Sequence, residues 1–347
     1  MFKPQYTITN KLLANIKQIN SLVIELNNRH FDSVILYELE KEAREISSYA
    51  STNIEGNPLP LTVVKEILKN QPKNLRNSEQ EVINYNEALE ELNKGLGKAL
   101  TPFNLNLILS IHKKVVLKLV PKTQLGKLRK EPVFVNNPQT GATIYWPPDA
   151  KDVKKLINDL INFTNTNRNL IDPLIIASLF HKQFVLIHPF MDGNGRTARL
   201  ATKFLLANLG INTFNLFSFE NYYNKNVTNY FKNVGALGNY YDLAGSINFT
   251  AWLEYFTDGI IDELFRVKKL LLEIPSNPET ELKPYYKNIL RIIKAKGYIA
   301  DRGYAKITKR AKATRNLDFK KLIKLGLIQR KGKGRASYYQ LKVSQQG

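Results

Sequence analysis

A twelve-residue segment in the middle of the chain, HPFMDGNGRTAR at 188–199, restricts the fold more than any other stretch. An Asp-Pro pair at 172–173 opens the apolar run before it, as the N-cap and first residue of a helix commonly do. Pro189 disfavours helical backbone in the preceding residue, so this helix should end near His188. Apolar residues then recur at helical spacing, which predicts a second helix from about Asn194. The segment is therefore predicted to be a tight loop between two helices.

The segment 188–199 has the residue types of a phosphate site. Gly193 and Gly195 lack a Cβ atom, so the backbone can bend tightly and bring its N–H groups close to a ligand. The free N–H groups at the start of the next helix point to the same place. Arg196, Arg199 and Lys203, at spacings i, i+3 and i+7, place three cations on one face of that helix near its start. Cations there oppose the helix dipole by about 0.3–1 kcal/mol each, and a bound anion would compensate them.

Two further side chains of the segment are suited to nucleotide chemistry. Asp192 supplies an oxygen ligand of the kind that Mg²⁺ accepts when it accompanies a polyphosphate, and His188 can act as a base near neutral pH. The alternative is a solvated loop with a structural histidine, which a lone Gly-x-Gly would favour. The combination of His, Asp, Asn, two Gly and two Arg within twelve residues favours the phosphate site. His112, among apolar residues at helical spacing, is interpreted as packed or half exposed and not catalytic, and His181, inside the buried helix, as a core residue.

Composition excludes several classes of site. With no cysteine, the chain has no disulfides, no Cys-ligated zinc and no thiol nucleophile. No apolar run approaches the length of a membrane span and the N-terminus lacks a signal-peptide pattern, so we predict a cytoplasmic protein without membrane segments. The net charge of +21 is concentrated in residues 282–347, which hold 19 Lys and Arg against two Asp. Such an excess at one end indicates an appended module for a polyanion.

Hydrophobic periodicity predicts a mainly helical chain. One helix is expected within the first 30 residues and a second from Asp32 to about Glu55, followed by Gly56. Two short β-branched and aromatic runs around the turn at 136–141 predict a β-hairpin. The remaining predicted helices lie at 62–68, 78–92, 102–119, 150–166 and 247–272, and in the basic end at about 289–293, 304–311 and 314–324, before a second hairpin at 326–341.

The segment 188–199 resembles the Fic family motif, His-Pro-Phe-x-Asp/Glu-Gly-Asn-Gly-Arg-x-x-Arg, at every fixed position. The family transfers AMP from ATP to a hydroxyl of a target protein, so the resemblance implies an adenylyltransferase that uses ATP and Mg²⁺. It implies that His188 deprotonates the target hydroxyl and that Asp192 holds Mg²⁺ between the α- and β-phosphates. In the related Doc group a lysine within the glycine segment accompanies phosphate transfer, and its absence here favours AMP transfer. The implied phosphate ligands are Gly193, Asn194, Gly195, Arg196 for the β-phosphate and Arg199 for the γ-phosphate.

A second resemblance lies at the end of the second predicted helix. Ser51-x-x-x-Glu55-Gly56 is similar to the Fic inhibitory motif, Ser/Thr-x-x-x-Glu-Gly/Asn, in which the Glu pairs with the second motif arginine. In this chain that partner would be Arg199. A carboxylate in the last turn of a helix is unfavourable unless a cation lies close, and the alternative is an exposed Glu before a glycine cap. The resemblance implies that the pair occupies the place of the γ-phosphate, so that ATP binds in an orientation unsuited to transfer.

Three other regions have counterparts in the family. The hairpin, about Val133–Tyr145, resembles the Fic flap, whose exposed edge pairs with an extended segment of the target; an ordinary surface hairpin is the alternative. Tyr230 matches an aromatic residue that lines the adenine pocket, with core packing as the alternative, although Phe231 departs from the family's Tyr-Tyr pair. The basic end resembles a winged helix-turn-helix whose third helix would enter the DNA major groove, with an interaction or dimerisation module as the alternative. Homodimers and self-modification are common among relatives.

Together these patterns predict a mainly α protein: an all-helical Fic core with a β-hairpin flap, an N-terminal helical inhibitory unit and a C-terminal winged helix-turn-helix. The expected domains are residues 1–99, 100–275 and 282–347, with a linker at 276–280. The predicted function is that of an auto-inhibited protein adenylyltransferase acting on a Tyr, Thr or Ser hydroxyl. The alternatives are removal of AMP by the same site, with Glu55 positioning a water, and a DNA-binding regulator with a nucleotide-sensing core.

Overall fold

The computed structural model describes residues 2–29, 31, 33–95, 102–137, 140–208, 210–211, 213–272, 283–324, 327–332, 334 and 337–341. This part of the chain is mainly helical, which confirms the predicted fold class. The predicted linker at 276–280 and hairpin residues 138–139 lie outside the described residues. The helices in the described ranges are α1 (Asn10–Asn27), α2 (Ser33–Ile54), α3 (Leu61–Asn70), α4 (Asn77–Gly95), α5 (Leu105–Val115), α6 (Ala150–Asn167), α7 (Pro173–Ile187), α8 (Asn194–Asn208), α9 (Phe219–Lys225), α10 (Val227–Val234), α11 (Tyr240–Leu243), α12 (Thr250–Leu272), α13 (Pro284–Lys296), α14 (Asp301–Ala305) and α15 (Lys312–Lys324). The strands are β1 (Val135–Asn136), β2 (Thr143–Trp146), β3 (Gly238–Asn239), β4 (Ile328–Lys331) and β5 (Tyr338–Leu341).

The chain divides into two compact units. Met1–Arg29 and Glu40–Ile274 form the first, and His30–Leu39 with Pro275–Gly347 form the second. The predicted domain boundaries at 99/100 and 275/282 stay predictions. In the described ranges, no helix combines the length and the apolar character that crossing a membrane requires.

Helix α7 is the centre of the first unit. It is mostly apolar and almost completely buried, as expected of a helix that packs against neighbours on all sides. Its neighbours are α6, α8 and α12. The carboxylate of Asp172 accepts a hydrogen bond from the backbone N–H of Leu174 at 2.8 Å, and Pro173 is the first helical residue, as the sequence predicts. The buried helix α7 therefore fixes the position of His188, which directly follows its last residue.

The predicted hairpin is present and is part of a small sheet. Strands β1 and β2 pair antiparallel, with Val135 opposite Tyr145, and β3 pairs parallel with the other edge of β2. The buried Tyr145 donates a hydrogen bond through its hydroxyl to the carbonyl oxygen of Leu186, at 2.9 Å. The inner face of the hairpin is thereby attached to the end of α7. Strand β3 was not predicted, because two residues are too few for a recognisable pattern.

Besides the start of α2, the second unit contains α13, α14, α15 and the antiparallel pair β4 and β5. The helix predicted at 304–311 is wrong in position, because α14 covers Asp301–Ala305 and residues 308–311 are not helical. Tyr304 is buried and donates to Asp318 of α15 at 2.8 Å, and Arg310 pairs with the same carboxylate. These contacts hold 308–311 against α15 instead of allowing a longer α14. The buried residues are Ile289, Leu290, Ile293, Ile299, Tyr304, Phe319, Leu322 and Ile328.

Candidate active site

His188 ends α7 in the left-handed backbone region, at φ +50°. Its Nδ1 atom lies 3.2 Å from the carbonyl oxygen of Val185. A carbonyl oxygen only accepts hydrogen bonds, so Nδ1 carries the proton and Nε2 keeps a free lone pair. Burial lowers the pKa of His188 below its ordinary value of 6.5, so the ring is neutral at pH 7. His188 can therefore accept a proton at Nε2.

The loop after His188 is held in one conformation by its own residues. The side chain of Asn194 accepts a hydrogen bond from the backbone N–H of Phe190 and donates one to its carbonyl oxygen, both at 2.9 Å. Gly193 has φ +75°, and a Cβ atom there would lie 2.6 Å from Cγ1 of Val116. Any side chain at this position would therefore be strained and would clash with α5 and its end. The amide of Asn194 and the absence of a side chain at Gly193 fix the entry into α8.

His112 supports the same loop from α5. Its ring stacks on Phe190, with centroids 3.7 Å apart and planes at 5°, and its Nε2 lies 3.1 Å from the carbonyl oxygen of Asp192. The backbone N–H of Gly126 donates to Nδ1 at 3.2 Å, so Nε2 carries the proton. Burial lowers the pKa of His112 to about 4, which keeps the ring neutral. His112 is buried, as predicted, but its contacts with the loop were missed.

Arg196 lies at the first turn of α8 and is buried. Its Nη2 donates to both carboxylate oxygens of Asp192, at 3.1 and 3.2 Å, and its Nη1 lies 3.4 Å from Oε1 of Glu81. The side chain of Asp192 is half exposed, and it also accepts from the backbone N–H of Gly193 at 2.6 Å. The carboxylate of Asp192 is thus held by Arg196 and Gly193 and remains accessible from solvent.

Arg199 is completely buried and is held by the end of α2. Its Nε donates to Oγ of Ser51 at 2.7 Å, and its Nη2 donates to the carbonyl oxygen of Ser51 at 2.8 Å and to Oε1 of Glu55 at 2.7 Å. Burial disfavours the charge of Arg199, but the Glu55 carboxylate raises its pKa above the usual value. The three residues that the sequence pattern paired are thus in direct contact.

Both arginines have N–H groups that the protein does not satisfy. Nε of Arg196 and Nη1 of Arg199 are buried and have no hydrogen-bond partner among the described residues. A buried N–H without an acceptor costs about 1–3 kcal/mol, and phosphate oxygens are strong acceptors for arginine. A Cβ atom on Gly195 would lie 2.1 Å from Oε1 of Glu55, so the carboxylate rests directly on this glycine. This set of donors is chemically suited to a polyphosphate, and the Glu55 carboxylate lies beside it.

Lys203, the third predicted cation, forms a second contact between α2 and α8. Its Nζ donates to Oγ of Ser47 at 3.0 Å and lies 3.5 Å from Oε2 of the buried Glu220. Ser47 and Ser51 are one helical turn apart on the buried face of α2. The end of α2 is therefore attached to α8 through hydroxyl groups and ion pairs. All three cations of α8 face carboxylates of the protein.

Tyr230 lies in the aromatic core beside α7. It is 1% exposed, its ring stacks on Tyr223 with centroids 4.6 Å apart, and its hydroxyl lies 3.1 Å from Nε2 of His181. The other ring nitrogen of His181 lies 3.0 Å from Oγ1 of Thr202 on α8. His181 is thus a buried residue, in agreement with its interpretation from the sequence. The role of Tyr230 at an adenine ring stays a prediction.

Residues 102–206 match the family model described as Fic/DOC family. A protein adenylyltransferase Fic of Nematostella vectensis is 31% identical over 174 residues, which are 49% of this chain and 39% of that protein. The protein adenylyltransferase fic-1 of Caenorhabditis elegans is 30% identical over 201 residues, 56% of this chain and 38% of the relative. The chain thus spans less than half the length of the curated relatives that it matches.

Solved structures show the same fold. A crystal structure of a Fic family protein from Desulfovibrio desulfuricans G20 aligns over all of both chains with a TM-score of 0.62 at 20% identity. Fic-1 of C. elegans (residues 134–508 of that protein) aligns over 76% of this chain and 73% of its own with a TM-score of 0.59 at 23% identity. These alignments confirm the predicted Fic fold.

Proposed function

We propose that this chain, which carries a Fic/DOC family domain over residues 102–206, is an auto-inhibited protein adenylyltransferase. It would transfer AMP from ATP to a Tyr, Thr or Ser hydroxyl of a target protein, including hydroxyls of its own chain. The observation that carries the proposal is the arrangement around the start of α8: a neutral His188 with a free Nε2 begins the loop before this helix, and two arginines of the helix have unsatisfied N–H groups. The similarity to proteins named adenylyltransferases supports it.

The triphosphate of ATP would lie across the start of α8. The backbone of Gly193, Asn194 and Gly195 would bind phosphate oxygens, Arg196 the β-phosphate and Arg199 the γ-phosphate. Mg²⁺ is compatible with this site, because it is often bound by one or two carboxylates together with substrate phosphates and water. Asp192, half exposed, would hold it. When bound, Mg²⁺ would neutralise charge that develops on the phosphates.

The reaction would be an in-line displacement at the α-phosphorus. The oxygen of the target hydroxyl forms a bond with this phosphorus while the bond to the oxygen bridging the α- and β-phosphates breaks, and pyrophosphate leaves. Nε2 of His188 takes the hydroxyl proton. Arg196 and the N-terminus of α8 stabilise the charge on the leaving group. The products are AMP-modified protein and pyrophosphate.

Auto-inhibition would follow from the contact between Glu55 and Arg199. Oε1 of Glu55 accepts a hydrogen bond from Nη2 of Arg199 at 2.7 Å and lies against Gly195. The γ-phosphate would otherwise bind at this place. ATP would then bind with its α-phosphate turned away from the line between His188 and the target hydroxyl. Displacement of the end of α2 would release the inhibition.

The fate of the two ends of ATP tests this proposal. Protein with Glu55 replaced by glycine, incubated with Mg²⁺ and ATP labelled with ³²P at the α-position, should become labelled, whereas γ-labelled ATP should leave it unlabelled. Label from the γ-position would indicate phosphate transfer instead. If a protein that already carries labelled AMP loses this label, and no label is incorporated from ATP, removal of AMP would be favoured. Nucleotide binding without any label would favour a nucleotide-sensing regulator.

The target would dock on the flap, residues 133–145. Phe134 and Trp146 are 54% and 40% exposed there, and β3 covers one edge of β2. Among the described strands of this sheet, β1 therefore offers the edge beside the site to an extended segment of the target. We also propose that the protein forms homodimers and is located in the cytoplasm.

A second function, binding of a polyanion such as DNA, is favoured by the charges of the C-terminal unit. Asp301 and Asp318 are the acids of residues 283–341, and they pair internally with Arg315 and Arg310. The surface cations of this segment thus have no carboxylate of their own segment left to pair with. They include Lys283, Arg291, Lys296, Arg302, Lys306, Lys309, Lys312, Lys320, Lys321, Arg330 and Lys331.

Neutralising two of these cations should weaken DNA binding. The double variant Lys320→Gln/Lys321→Gln removes adjacent exposed charges from α15, which would be the third helix of the proposed winged helix-turn-helix. We expect the slope of log affinity against log salt for a DNA duplex to fall by about two units. The matched control is Lys151→Gln/Lys154→Gln on α6, which should leave the slope unchanged. Equal slopes for both double variants would exclude DNA binding through α15.

A further inference from the structure

Arg129 connects three segments around His188. It is 4% exposed, and its Nε donates to the carbonyl oxygen of His188 at 2.8 Å. Its Nη1 donates to the carbonyl oxygen of Glu131 at 3.1 Å, and its Nη2 donates to that of Pro148. Its backbone N–H donates to the carbonyl oxygen of Pro189 at 2.9 Å. Glu131 precedes the flap and Pro148 follows it, so one side chain joins both ends of the flap to the end of α7.

The acceptors of Arg129 are unusual for a buried cation. Within the described residues every hydrogen bond of its guanidinium goes to a backbone carbonyl, and none goes to a carboxylate. A buried arginine without an ion pair is costly, since burial disfavours its charge. The planar guanidinium, however, can reach several carbonyls in fixed directions, which an ammonium group cannot do. This residue is suited to holding backbone segments in one geometry.

We propose that Arg129 is a positioning residue that sets the flap, and hence the target hydroxyl, at a fixed distance from Nε2 of His188. The proposal rests on the proposed adenylyl transfer. The flap would present the target segment and His188 would remove the proton, and the two belong to different elements. Through Arg129 both are attached to the same guanidinium. Misplacement of reacting groups by 1 Å can cost on the order of 100-fold in rate, so this attachment matters for the chemical step.

The charge of Arg129 also acts on His188. The charged groups that face the imidazole are Glu55 from the end of α2, Asp192 from the loop and Arg129 from the segment before the flap. The two carboxylates raise the pKa of His188, whereas Arg129 and burial lower it. Removal of the positive charge should therefore raise this pKa and move the acid limb of the pH–rate profile to higher pH. The pKa of His188 therefore reports the charge of Arg129 separately from its hydrogen bonds to the backbone.

Three variants in the Glu55→Gly background test the proposal. Arg129→Lys keeps the charge but loses the planar fork, Arg129→Met loses both, and Lys130→Met removes the charge of an exposed neighbour as a matched control. For Arg129→Lys we expect kcat to fall about 10- to 100-fold with KM for ATP nearly unchanged, and an unshifted acid limb. For Arg129→Met we expect a similar loss of kcat and an acid limb at higher pH. Lys130→Met should resemble the parent.

The titration of His188 provides a readout that needs no activity. The imidazole signal of His188 can be followed by NMR in the otherwise unchanged protein and assigned with His188→Asn. Its pKa should be higher in Arg129→Met and unchanged in Arg129→Lys and Lys130→Met. If Glu55→Gly transfers no AMP, the proposed function fails, whereas the titration still tests whether the charge of Arg129 acts on His188. An unchanged pKa of His188 in Arg129→Met, together with an unchanged kcat in Arg129→Lys, would overturn the inference. The inference would also be overturned if Arg129→Lys and Arg129→Met both lost kcat and ATP affinity in parallel and the pKa of His188 did not change.

Discussion

Replacement of Glu55 by glycine is expected to turn a weakly labelled protein into a strongly labelled one. In the wild type, Nη2 of Arg199 donates to Glu55 at 2.7 Å, and the carboxylate rests on Gly195. Without it, the guanidinium is free to bind the γ-phosphate, and the nucleotide can place its α-phosphate beside His188. A hydrogen bond to a charged group contributes about 1.5–3 kcal/mol, so incorporation of label from α-³²P-ATP should rise roughly 10- to 100-fold.

The same variant should be less stable than the wild type until nucleotide binds. Arg199 is completely buried and would keep its contacts with Ser51 but lose Glu55, its only carboxylate partner within the described residues. An unpaired buried charge is destabilising, so the melting temperature should fall by a few degrees. ATP with Mg²⁺ should raise it more in Glu55→Gly than in the wild type, because the phosphate replaces the lost anion.

Glu42→Gly is the matched control for Glu55→Gly. Glu42 lies earlier on α2, is partly exposed and pairs with Lys65 at 3.5 Å, far in sequence from the contact with Arg199. Glycine inside the helix should loosen α2 at least as much as glycine after its end. If Glu42→Gly and Glu55→Gly both increase labelling, the effect comes from a loosened α2. If neither variant increases labelling, the inhibitory role of Glu55 is contradicted.

Replacement of His188 is expected to abolish labelling in both backgrounds. A positioned general base typically contributes 10²–10⁴-fold, so Glu55→Gly/His188→Ala should lose at least about 100-fold of the transfer rate. His188→Asn is the better-matched variant, because His188 has φ +50° and asparagine tolerates this left-handed backbone better than alanine does. Both variants should bind ATP as the parent does, measured by equilibrium binding, since the base does not hold the phosphates. Retained labelling in His188→Asn would require another base.

Much of the site could be predicted because its residues are adjacent in sequence. Asp172 and Pro189 mark the limits of α7, and the glycines mark the loop before α8, so local rules placed these elements correctly. The pairing of Glu55 with Arg199 spans 144 residues and came only from the resemblance of a short motif. Composition and periodicity alone do not contain it.

The supporting contacts could not be predicted, for a physical reason. Arg129 and His112 act on backbone carbonyls, and a carbonyl is present at every residue, so these contacts leave no charge or spacing pattern. His112 in particular has the same apolar helical surroundings as a histidine without such a role. Arg310 and Asp318 likewise determine the end of α14 through a tertiary contact that helical propensity does not reveal.

The central claim is that the triphosphate lies across the start of α8 with His188 beside the α-phosphorus. It is tested most directly by a crystal structure of Glu55→Gly/His188→Asn with ATP and Mg²⁺, since this protein should bind ATP without consuming it. We predict phosphate oxygens on the backbone at 193–195, the γ-phosphate on Arg199 and Mg²⁺ on Asp192, with residue 188 facing the α-phosphate. Nucleotide bound elsewhere, or an α-phosphate on the side of α8 away from residue 188, would contradict the claim.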